Sequence, residues 1–382
     1  MDCKKLFECI DELYPKYVEK WVEICNMETP TMHKELIDKL GNYFIDMAKA
    51  RGWHIHVLEH EVAGNAITIT LNPDAKAAPV ALSGHIDTVH PIGLFPTPAV
   101  SFDEENIYGP GVEDCKGGVV ASFLAMDALD RCGFRNRPVK LIIQSDEETS
   151  SITSGHETIR YMCDQAKDAV AFLNTEGMTK GSITVARKGI IRFELTVHGV
   201  AGHSSKCYKA ANAITEAAHK IIELEKLKDK EGITCNCGVI KGGSVANSVA
   251  ETCSFTADIR FSDAQQLEWA KNKIKEVAES STVSGCWCEV RQVSMRPAME
   301  DVPANYQLAA KINEINERVE LPVLKTIRTL GGADSAYTTQ AGIPTVDGVG
   351  VIGDLIHSRN EFAVKSSLAY SAKQQAAIVC FI

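Results

Sequence analysis

Three apolar segments of this 382-residue chain are each followed closely by a side chain that can bind a cation. The segments and the residues that follow them are Pro79 to Ser83 with His85, Pro138 to Gln144 with Glu147 and Glu148, and Asp168 to Leu173 with Glu176. Short apolar runs bounded by turn residues predict buried strands. Because helical segments alternate with them, we expect a mostly parallel sheet flanked by helices. Ligands bind beyond the carboxyl ends of such strands, so these side chains should converge at one sheet edge.

His85 and Asp87 are two residues apart, so an extended backbone points both side chains the same way. An imidazole whose ring is oriented by a neighbouring carboxylate is a common metal-binding arrangement. An ordinary hydrogen-bonded pair fits the same two residues. Asp114 lies between Gly109-Pro110-Gly111 and Gly117-Gly118, which puts its carboxylate on a turn that can approach a charged centre closely. A helix N-cap is the alternative for Asp114.

Two imidazoles and three carboxylates form the candidate ligand set. They are His85, Asp114, Glu148, Glu176 and His357. These donors suit a pair of divalent ions, with zinc as the first candidate and manganese or cobalt as alternatives. Three carboxylates and a bridging hydroxide would balance the charge of two such ions. The ions would polarise a carbonyl group and lower the pKa of a shared water. Glu147 would then act as the general base, although a solvated acidic turn also explains its acidic surroundings.

The overall charge argues against two classes of partner. A formal net charge of −10 gives no basic surface for nucleic acid or for an anionic membrane, so a small-molecule substrate is expected. The first residues are acidic in part and contain no long apolar run, which predicts neither a signal peptide nor a membrane span. Thirteen cysteines in a chain of this size indicate reduced thiols, and we therefore expect a cytoplasmic protein.

The pattern along the chain predicts three parts. Two amphipathic helices open it, Leu6 to Cys25 and His33 to Arg51, with Thr31 as a candidate cap of the second. From Gly189 the pattern changes to long alternating strands and two helices, the first from Lys209 to Lys228. We expect a compact α+β unit, residues 189–294, inserted as a lid and dimerisation domain into a discontinuous catalytic domain formed by residues 1–188 and 295–382.

The motifs at these positions resemble one known family. They are Ser83-Gly84-His85-Ile86-Asp87-Thr88-Val89, Gly109-Pro110-Gly111 with Asp114-Cys115-Lys116-Gly117-Gly118, Asp146-Glu147-Glu148, Glu176, Gly202-His203-Ser204-Ser205 and His357-Ser358. In content and order they are similar to those of the dinuclear zinc exopeptidases and amidohydrolases. That family includes glutamate carboxypeptidase, tripeptide aminopeptidase, aminoacylase and succinyl-diaminopimelate desuccinylase.

The resemblance implies a role for each residue of the ligand set. It gives one ion to His85, Asp114 and Glu176, and the other to Asp114, Glu148 and His357. It also implies that Asp87 clamps the ring of His85, that Glu147 is the base, and that the peptide bond between Asp114 and Cys115 is cis. Cys115 is then a bystander, and a thiolate ligand is the alternative for it.

The resemblance also implies roles within the inserted unit. His203 would reach the site of a neighbouring subunit and stabilise an oxyanion, which implies a homodimer. Asn247 and Arg260 would bind a substrate carboxylate, with backbone N–H groups supplied by Gly331 and Gly332. An ion pair between Arg260 and its strand neighbour Asp258 is the alternative.

These inferences combine into one expectation. The chain is predicted to hydrolyse an amide bond in a small peptide or an N-acyl amino acid that carries a free carboxylate. Two rivals stay open from the sequence: a biosynthetic deacylase or desuccinylase, and a metal-dependent binding protein without turnover.

Overall fold

The computed structural model describes residues 2–382, and these residues form two compact units. Unit 1 comprises the chain up to Ala186 together with Val302–Arg328 and Ala333–Ile382. Unit 2 comprises Arg187–Asp301 and Thr329–Gly332. The domain boundaries given above stay predictions about how the chain divides functionally.

The helices and strands are numbered in chain order. The helices are α1 (Cys3–Cys25), α2 (Lys34–Lys49), α3 (Lys116–Arg131), α4 (Glu157–Ala166), α5 (Ala213–Leu224), α6 (Ala264–Glu279), α7 (Pro303–Arg318), α8 (Ser335–Gln340) and α9 (Ser367–Phe381). The strands are β1 (His54–Leu58), β2 (Ala66–Leu71), β3 (Val80–His85), β4 (Ser101–Phe102), β5 (Asn106–Tyr108), β6 (Val139–Gln144), β7 (Ala171–Asn174), β8 (Ser182–Arg187), β9 (Gly189–His198), β10 (Gly202–His203), β11 (Thr234–Gly242), β12 (Ser248–Val249), β13 (Thr252–Phe261), β14 (Trp287–Arg296), β15 (Lys325–Thr329), β16 (Thr345–Asp347), β17 (Gly353–Asp354) and β18 (Phe362–Val364). Two short 3-10 helices span Glu147–Thr149 and Ser204–Lys209.

The main sheet of unit 1 has eight strands in the order β1-β2-β6-β3-β7-β16-β8-β15. Its centre is parallel, because β3 pairs in parallel with both β6 and β7, and β16 pairs in parallel with β7. The pairs β1–β2, β2–β6 and β16–β8 are antiparallel. The predicted fold class is therefore confirmed, with the parallel strands at the centre of a mixed sheet.

Helices cover both faces of this sheet. Along β3, Val80 and Leu82 face the larger core, which α1, α3 and α9 share, whereas Ala81 faces the smaller core beneath α4. On β7, Leu173 and Phe172 alternate in the same way. Strands buried on both faces require apolar residues at every position. This is why the strands read as continuous apolar runs in the sequence.

Helix α3 is buried at every position from Lys116 to Leu129, which agrees with its lack of a polar face. Its first turn lies against the end of β7. A Cβ atom added to Gly118 would sit 1.9 Å from the backbone oxygen of Thr175. Only glycine fits there, and this close approach brings the residues that precede α3 to the sheet edge.

Unit 2 contains a four-stranded antiparallel sheet in the order β11-β13-β9-β14. Buried and half-buried residues alternate strictly along β9, so one face of the sheet is covered, and its core includes residues of α5 and α6. The predicted helix from Lys209 to Lys228 was too long. The helix starts after Asn212, whose side-chain oxygen accepts a hydrogen bond from the backbone N–H of Ile214 (2.9 Å) and so caps it.

A buried ion pair lies inside unit 2. Glu216 and Lys220 are 1% and 2% exposed, and their charged atoms are 3.0 Å apart. The ammonium group of Lys220 also donates to the backbone oxygens of Val277, Ala278 and Ser280 at the end of α6. Each charge therefore has a partner within the unit.

In the part of the chain that the structure covers, no helix combines the length and apolar character needed to cross a bilayer.

Candidate metal centre

The ends of three neighbouring strands deliver the predicted acidic and imidazole side chains. His85 is the last residue of β3 and pairs with Gln144, the last residue of β6. The 3-10 helix that carries Glu147 and Glu148 begins three residues after Gln144, and Glu176 lies two residues after the end of β7. The predicted convergence at one edge of a parallel sheet is confirmed by these positions.

Asp114 lies at the centre of the cluster. Its Oδ1 is 3.0 Å from Nε2 of His85, and its Oδ2 is 3.0 Å from Nε2 of His357. His357 comes from the loop between β17 and β18 and has a left-handed backbone with φ of 61°. One carboxylate thus presents one oxygen to each imidazole. Asp114 is not the N-cap of α3, because Cys115 occupies that position.

Each of the two other carboxylates lies near one of the imidazoles. Oε1 of Glu176 is 3.7 Å from Nε2 of His85, and Oε2 of Glu148 is 3.3 Å from Nε2 of His357. The ligand atoms of His85, Asp114 and Glu148 all lie within 4.8 Å of one another. The five side chains therefore lie close enough together for cations to bind between them in place of protons.

The protonation behaviour of the cluster shows an excess of negative charge. Burial raises the pKa of Glu148 to about 8, and the charge of Asp114 adds to this. Burial and Asp114 likewise hold the pKa of Glu176 well above its usual range. Hydrogen bonds with Asp114 and Glu148 raise the pKa of His357 to about 10. These shifts favour the protonated forms of the three side chains.

The donor set fits divalent metal ions. Within residues 2–382, no lysine or arginine forms an ion pair with Asp114, Glu148 or Glu176, so only imidazoles face these carboxylates. Imidazole nitrogens and carboxylate oxygens are the donors that zinc, manganese and cobalt accept. Burial of charged carboxylates without a permanent cation lowers the stability of the folded protein. Bound ions would remove that cost and return both imidazoles to the neutral form that binds metal.

Asp87 connects the two sides of the cluster. Its carboxylate lies 3.3 Å from Nδ1 of His85, which also contacts the backbone oxygen of Asp87 at 3.1 Å. The same carboxylate accepts hydrogen bonds from the backbone N–H groups of Glu147 (3.2 Å) and Glu148 (3.1 Å). Asp87 is fully buried. It therefore orients the ring of His85 and also holds the turn that carries the two glutamates.

Cys115 lies beside the cluster. The peptide bond that links it to Asp114 is cis, as the resemblance implied. Its Sγ, with the ligand atoms of His85 and Glu176, forms a second group within 4.8 Å. The thiol donates to the backbone oxygen of Thr175 (3.1 Å), and burial holds its pKa well above the usual range. The thiol therefore has a backbone partner of its own beside the cluster.

The remaining predicted site residues belong to unit 2, where His203 and Asn247 are exposed. Nδ1 of His203 accepts from the backbone N–H of Ser205 (3.2 Å). The Nε of Arg260 donates to Asp258 (2.7 Å), so the ion pair that was the alternative for this arginine is present. Gly331 and Gly332 belong to the short segment of unit 2 contributed by residues 329–332.

Two residues that the sequence analysis did not assign to the site are one contact away from it. The hydroxyl of Thr31 donates to Oδ2 of Asp87 (2.7 Å), so Thr31 is not the helix cap that its position predicted. Glu361 accepts hydrogen bonds from the backbone of the turn that carries Asp114. The only sequence signal for Glu361 is its distance of four residues from His357.

Two family models match the sequence. The one described as peptidase dimerisation domain matches residues 185–286, which lie mostly in unit 2. The one described as peptidase family M28 matches residues 66–227, which include β3, α3, β6 and β7.

The named relatives include peptidases and deacylases. Carboxypeptidase G2 from Pseudomonas sp. (strain RS-16) is 24% identical over 361 residues, with 92% of this chain and 86% of that protein covered. Succinyl-diaminopimelate desuccinylase from Rickettsia akari (strain Hartford) is 25% identical, with coverages of 76% and 80%. The crystal structure of a tripeptidase from Staphylococcus aureus subsp. aureus mu50 superposes with a TM-score of 0.81 at 21% identity, covering 96% of this chain and 97% of that one, which shows a shared fold.

The ligand-type residues at the sheet edge and the hydrolases among the relatives agree with each other. The chain is therefore similar to the metallopeptidases and amidohydrolases of the M20 family, and this similarity supports a metallopeptidase enzyme.

Proposed function

We propose that this protein hydrolyses an amide bond in a small peptide or an N-acyl amino acid with a free carboxylate, using two divalent ions and Glu147 as general base. Zinc is the first candidate for both ions, with manganese and cobalt as alternatives. The observation that carries the proposal is the position of Asp114, whose two oxygens each lie 3.0 Å from a different imidazole. A carboxylate in that position suits a bridge between two ions.

Each ion would have three protein ligands. His85, Asp114 and Glu176 would hold one ion. Asp114, Glu148 and His357 would hold the other. Such a pair, when bound, supplies Lewis-acid activation of a carbonyl group and of water. Three protein donors for each ion leave positions for a substrate.

Glu147 would move the proton. It is 6% exposed, and its backbone N–H is fixed by Asp87, which also contacts His85. Glu147 accepts a proton from the attacking water and then donates it to the leaving nitrogen, which completes the cleavage of the C–N bond. Asp87 acts as a positioning residue in this scheme, because it holds both His85 and the turn that carries Glu147.

Residues of unit 2 would bind the far end of the substrate. Arg260 and Asn247 would contact the free carboxylate, since a guanidinium group matches its planar geometry, and Gly331 and Gly332 would add backbone N–H donors. His203 of one protomer would stabilise the oxyanion at the site of another. A homodimer through unit 2 belongs to this proposal, and the match to a peptidase dimerisation domain supports it.

A cytoplasmic location also belongs to the proposal. All thirteen cysteines are free thiols, which suits a reducing compartment.

The proposal is tested by a hydrolysis panel of dipeptides, tripeptides and N-acyl amino acids. We expect turnover of at least one class, loss of that turnover after treatment with a chelator, and recovery when Zn²⁺, Mn²⁺ or Co²⁺ is added back. Absence of hydrolysis of every member by metal-loaded protein would support a metal-binding protein without turnover instead.

The role of Glu147 is tested by Glu147→Gln, which keeps the shape of the side chain and removes its basicity. We expect kcat to fall by about 10²–10⁴-fold while metal content is unchanged, because only proton transfer is lost. Glu314→Gln is the matched control, since Glu314 is an exposed residue of α7. Equal kcat values for Glu147→Gln and the parent would remove Glu147 from the mechanism.

A biosynthetic deacylase is the second candidate, because a succinyl-diaminopimelate desuccinylase and an acetylornithine deacetylase are among the similar proteins. N-succinyl and N-acetyl amino acids in the same panel distinguish the two. A kcat/KM higher for these compounds than for any peptide would favour the deacylase.

A further inference from the structure

Glu361 is a buried carboxylate next to the candidate metal centre that none of the proposed steps uses. It is 1% exposed. Its Oε1 accepts hydrogen bonds from the backbone N–H groups of Glu113 (3.0 Å) and Asp114 (3.1 Å), and its Oε2 accepts one from Gly111 (3.1 Å). A single side chain thus holds three N–H groups within four consecutive residues.

These bonds fix the turn that carries Asp114. The turn contains Gly109 and Gly111, with φ of 152° and 72°, so its backbone has conformations that side-chain-bearing residues rarely adopt. The backbone oxygen of Glu361 also accepts from the N–H of Gly109 (3.2 Å). Without these acceptors the N–H groups would be buried and unpaired, which is unfavourable for the folded turn.

The position of Glu361 in the sequence links it to the second ion site. His357 contacts Oδ2 of Asp114 through its side chain, and Glu361, four residues later, holds the backbone N–H of the same aspartate. The segment 357–361 therefore supplies one ligand and positions the carboxylate that the two sites would share. Nε2 of His90 lies 3.6 Å from Oε2 of Glu361, so an imidazole also faces the buried carboxylate.

We propose that Glu361 is a positioning residue that sets the orientation of the Asp114 carboxylate and so allows two ions to bind as a bridged pair. This inference rests on the proposed function, since it assumes that Asp114 bridges the ions. Glu361 itself contacts neither ion nor substrate in this role. It acts through the hydrogen bonds to residues 111–114.

The substitution Glu361→Gln distinguishes the effect of the hydrogen bonds from the effect of side-chain packing. Glutamine has the same shape, but one of its two terminal groups is an NH2 donor. In one orientation the NH2 faces the N–H of Gly111, and in the other it faces the N–H groups of Glu113 and Asp114. At least one backbone donor loses its acceptor in either case, and the turn is expected to shift.

The probe is Mn²⁺, titrated into metal-free protein and followed by electron paramagnetic resonance. Glu216→Gln is the matched control, because Glu216 is also 1% exposed and accepts two backbone N–H bonds, from Thr282 and Val283, but lies in unit 2. Thermal melting of both variants measures the general loss of stability. Asp114→Asn serves as the reference for loss of the bridge.

We expect the parent to bind two Mn²⁺ ions with the spectrum of an exchange-coupled pair. Glu361→Gln should bind at least one ion about 10–100-fold more weakly and lose the coupling, as is typical when a residue that supports a ligand is changed. Glu216→Gln should keep both the affinity and the coupling. The inference is overturned by parent-like affinity and coupling in Glu361→Gln, or by equal losses in Glu216→Gln.

The two proposals fail in different ways. A parent that binds no pair of ions refutes the proposed function, whereas a parent pair that survives Glu361→Gln but not Asp114→Asn refutes only the role of Glu361.

A second measurement uses only the parent protein, so it does not depend on whether a variant folds. In the parent protein, hydrogen exchange of the segment 111–114 should be slow with and without metal, because its N–H groups are bonded to Glu361. Fast exchange in both states would also overturn the inference.

Discussion

Each unit of this protein contains a cluster of charged side chains, and the two clusters differ in how their charge is balanced. In unit 2, Glu216 faces Lys220, and backbone groups satisfy the remaining donors and acceptors of both. In unit 1, three carboxylates meet two imidazoles at the sheet edge, and no permanent cation forms an ion pair with them in the described chain.

The difference separates a structural cluster from one that we propose to be functional. A balanced ion pair needs nothing further, and its loss harms stability. An acidic cluster with an excess of negative charge binds protons or metal ions, which is consistent with the raised pKa of Glu148. Such an arrangement is unfavourable for folding and is typical of sites that bind ligands or catalyse reactions. Changes in the two clusters should therefore affect different measurements.

The largest effect on activity is expected from Asp114→Asn. The variant keeps the shape of the side chain but loses the charge shared by the two proposed ion sites. Metal ions supply several kcal/mol of transition-state stabilisation, so loss of one ion should lower kcat/KM by about a thousandfold or more. Metal analysis should show fewer than two ions for each chain. Asp74→Asn, at an exposed turn, is the control, and equal activity of the two variants would contradict the comparison.

A large effect on stability alone is expected from Lys220→Met. This change leaves Glu216 buried without its cation, which should lower the free energy of unfolding by about 3–5 kcal/mol. Urea denaturation measures the loss. Adding Glu216→Gln to Lys220→Met should recover part of the stability, because the unpaired charge is removed. Metal content should stay at the parent value in both proteins, and a fall in metal content would weaken the distinction between the clusters.

A moderate effect on activity is expected from Thr31→Val, which removes the hydroxyl that donates to Asp87. Because Asp87 orients a proposed ligand and the turn of the proposed base, kcat should fall by about tenfold. Thr29→Val is a matched control, since the hydroxyl of Thr29 is also buried but donates to the backbone oxygen of Ile86. If both variants lose the same activity, the effect comes from packing rather than from Asp87.

The smallest effect is expected from Cys115→Ala. A bystander thiol contributes packing only, so kcat/KM should change by less than about threefold, whereas loss of a metal ligand would cost much more. The Co²⁺-loaded parent should show no sulfur-to-cobalt charge-transfer absorption. Such a band in the parent, absent from the variant, would identify Cys115 as a ligand.

Much of unit 1 could be predicted because its signals are local. Continuous apolar runs indicated β3, β6 and β7, and the acids that follow them indicated the sheet edge. The prediction that Thr31 caps α2 was wrong, and the helix predicted from Lys209 to Lys228 was too long. A threonine or an asparagine before a helix can bond to the helix or to something else, and the sequence does not say which partner is closer in space.

The sequence by itself determined the chemical types at the centre, since one imidazole and the glutamates lie at or just after the ends of apolar segments. It also determined the parallel centre of the sheet, because strands covered on both faces must be apolar throughout. Only the tertiary structure decided that one oxygen of Asp114 faces His85 and the other faces His357, and that Glu361 holds the turn between them. Those contacts join residues up to about 250 positions apart, and directional hydrogen bonds between such distant groups depend on coordinates that no local pattern specifies.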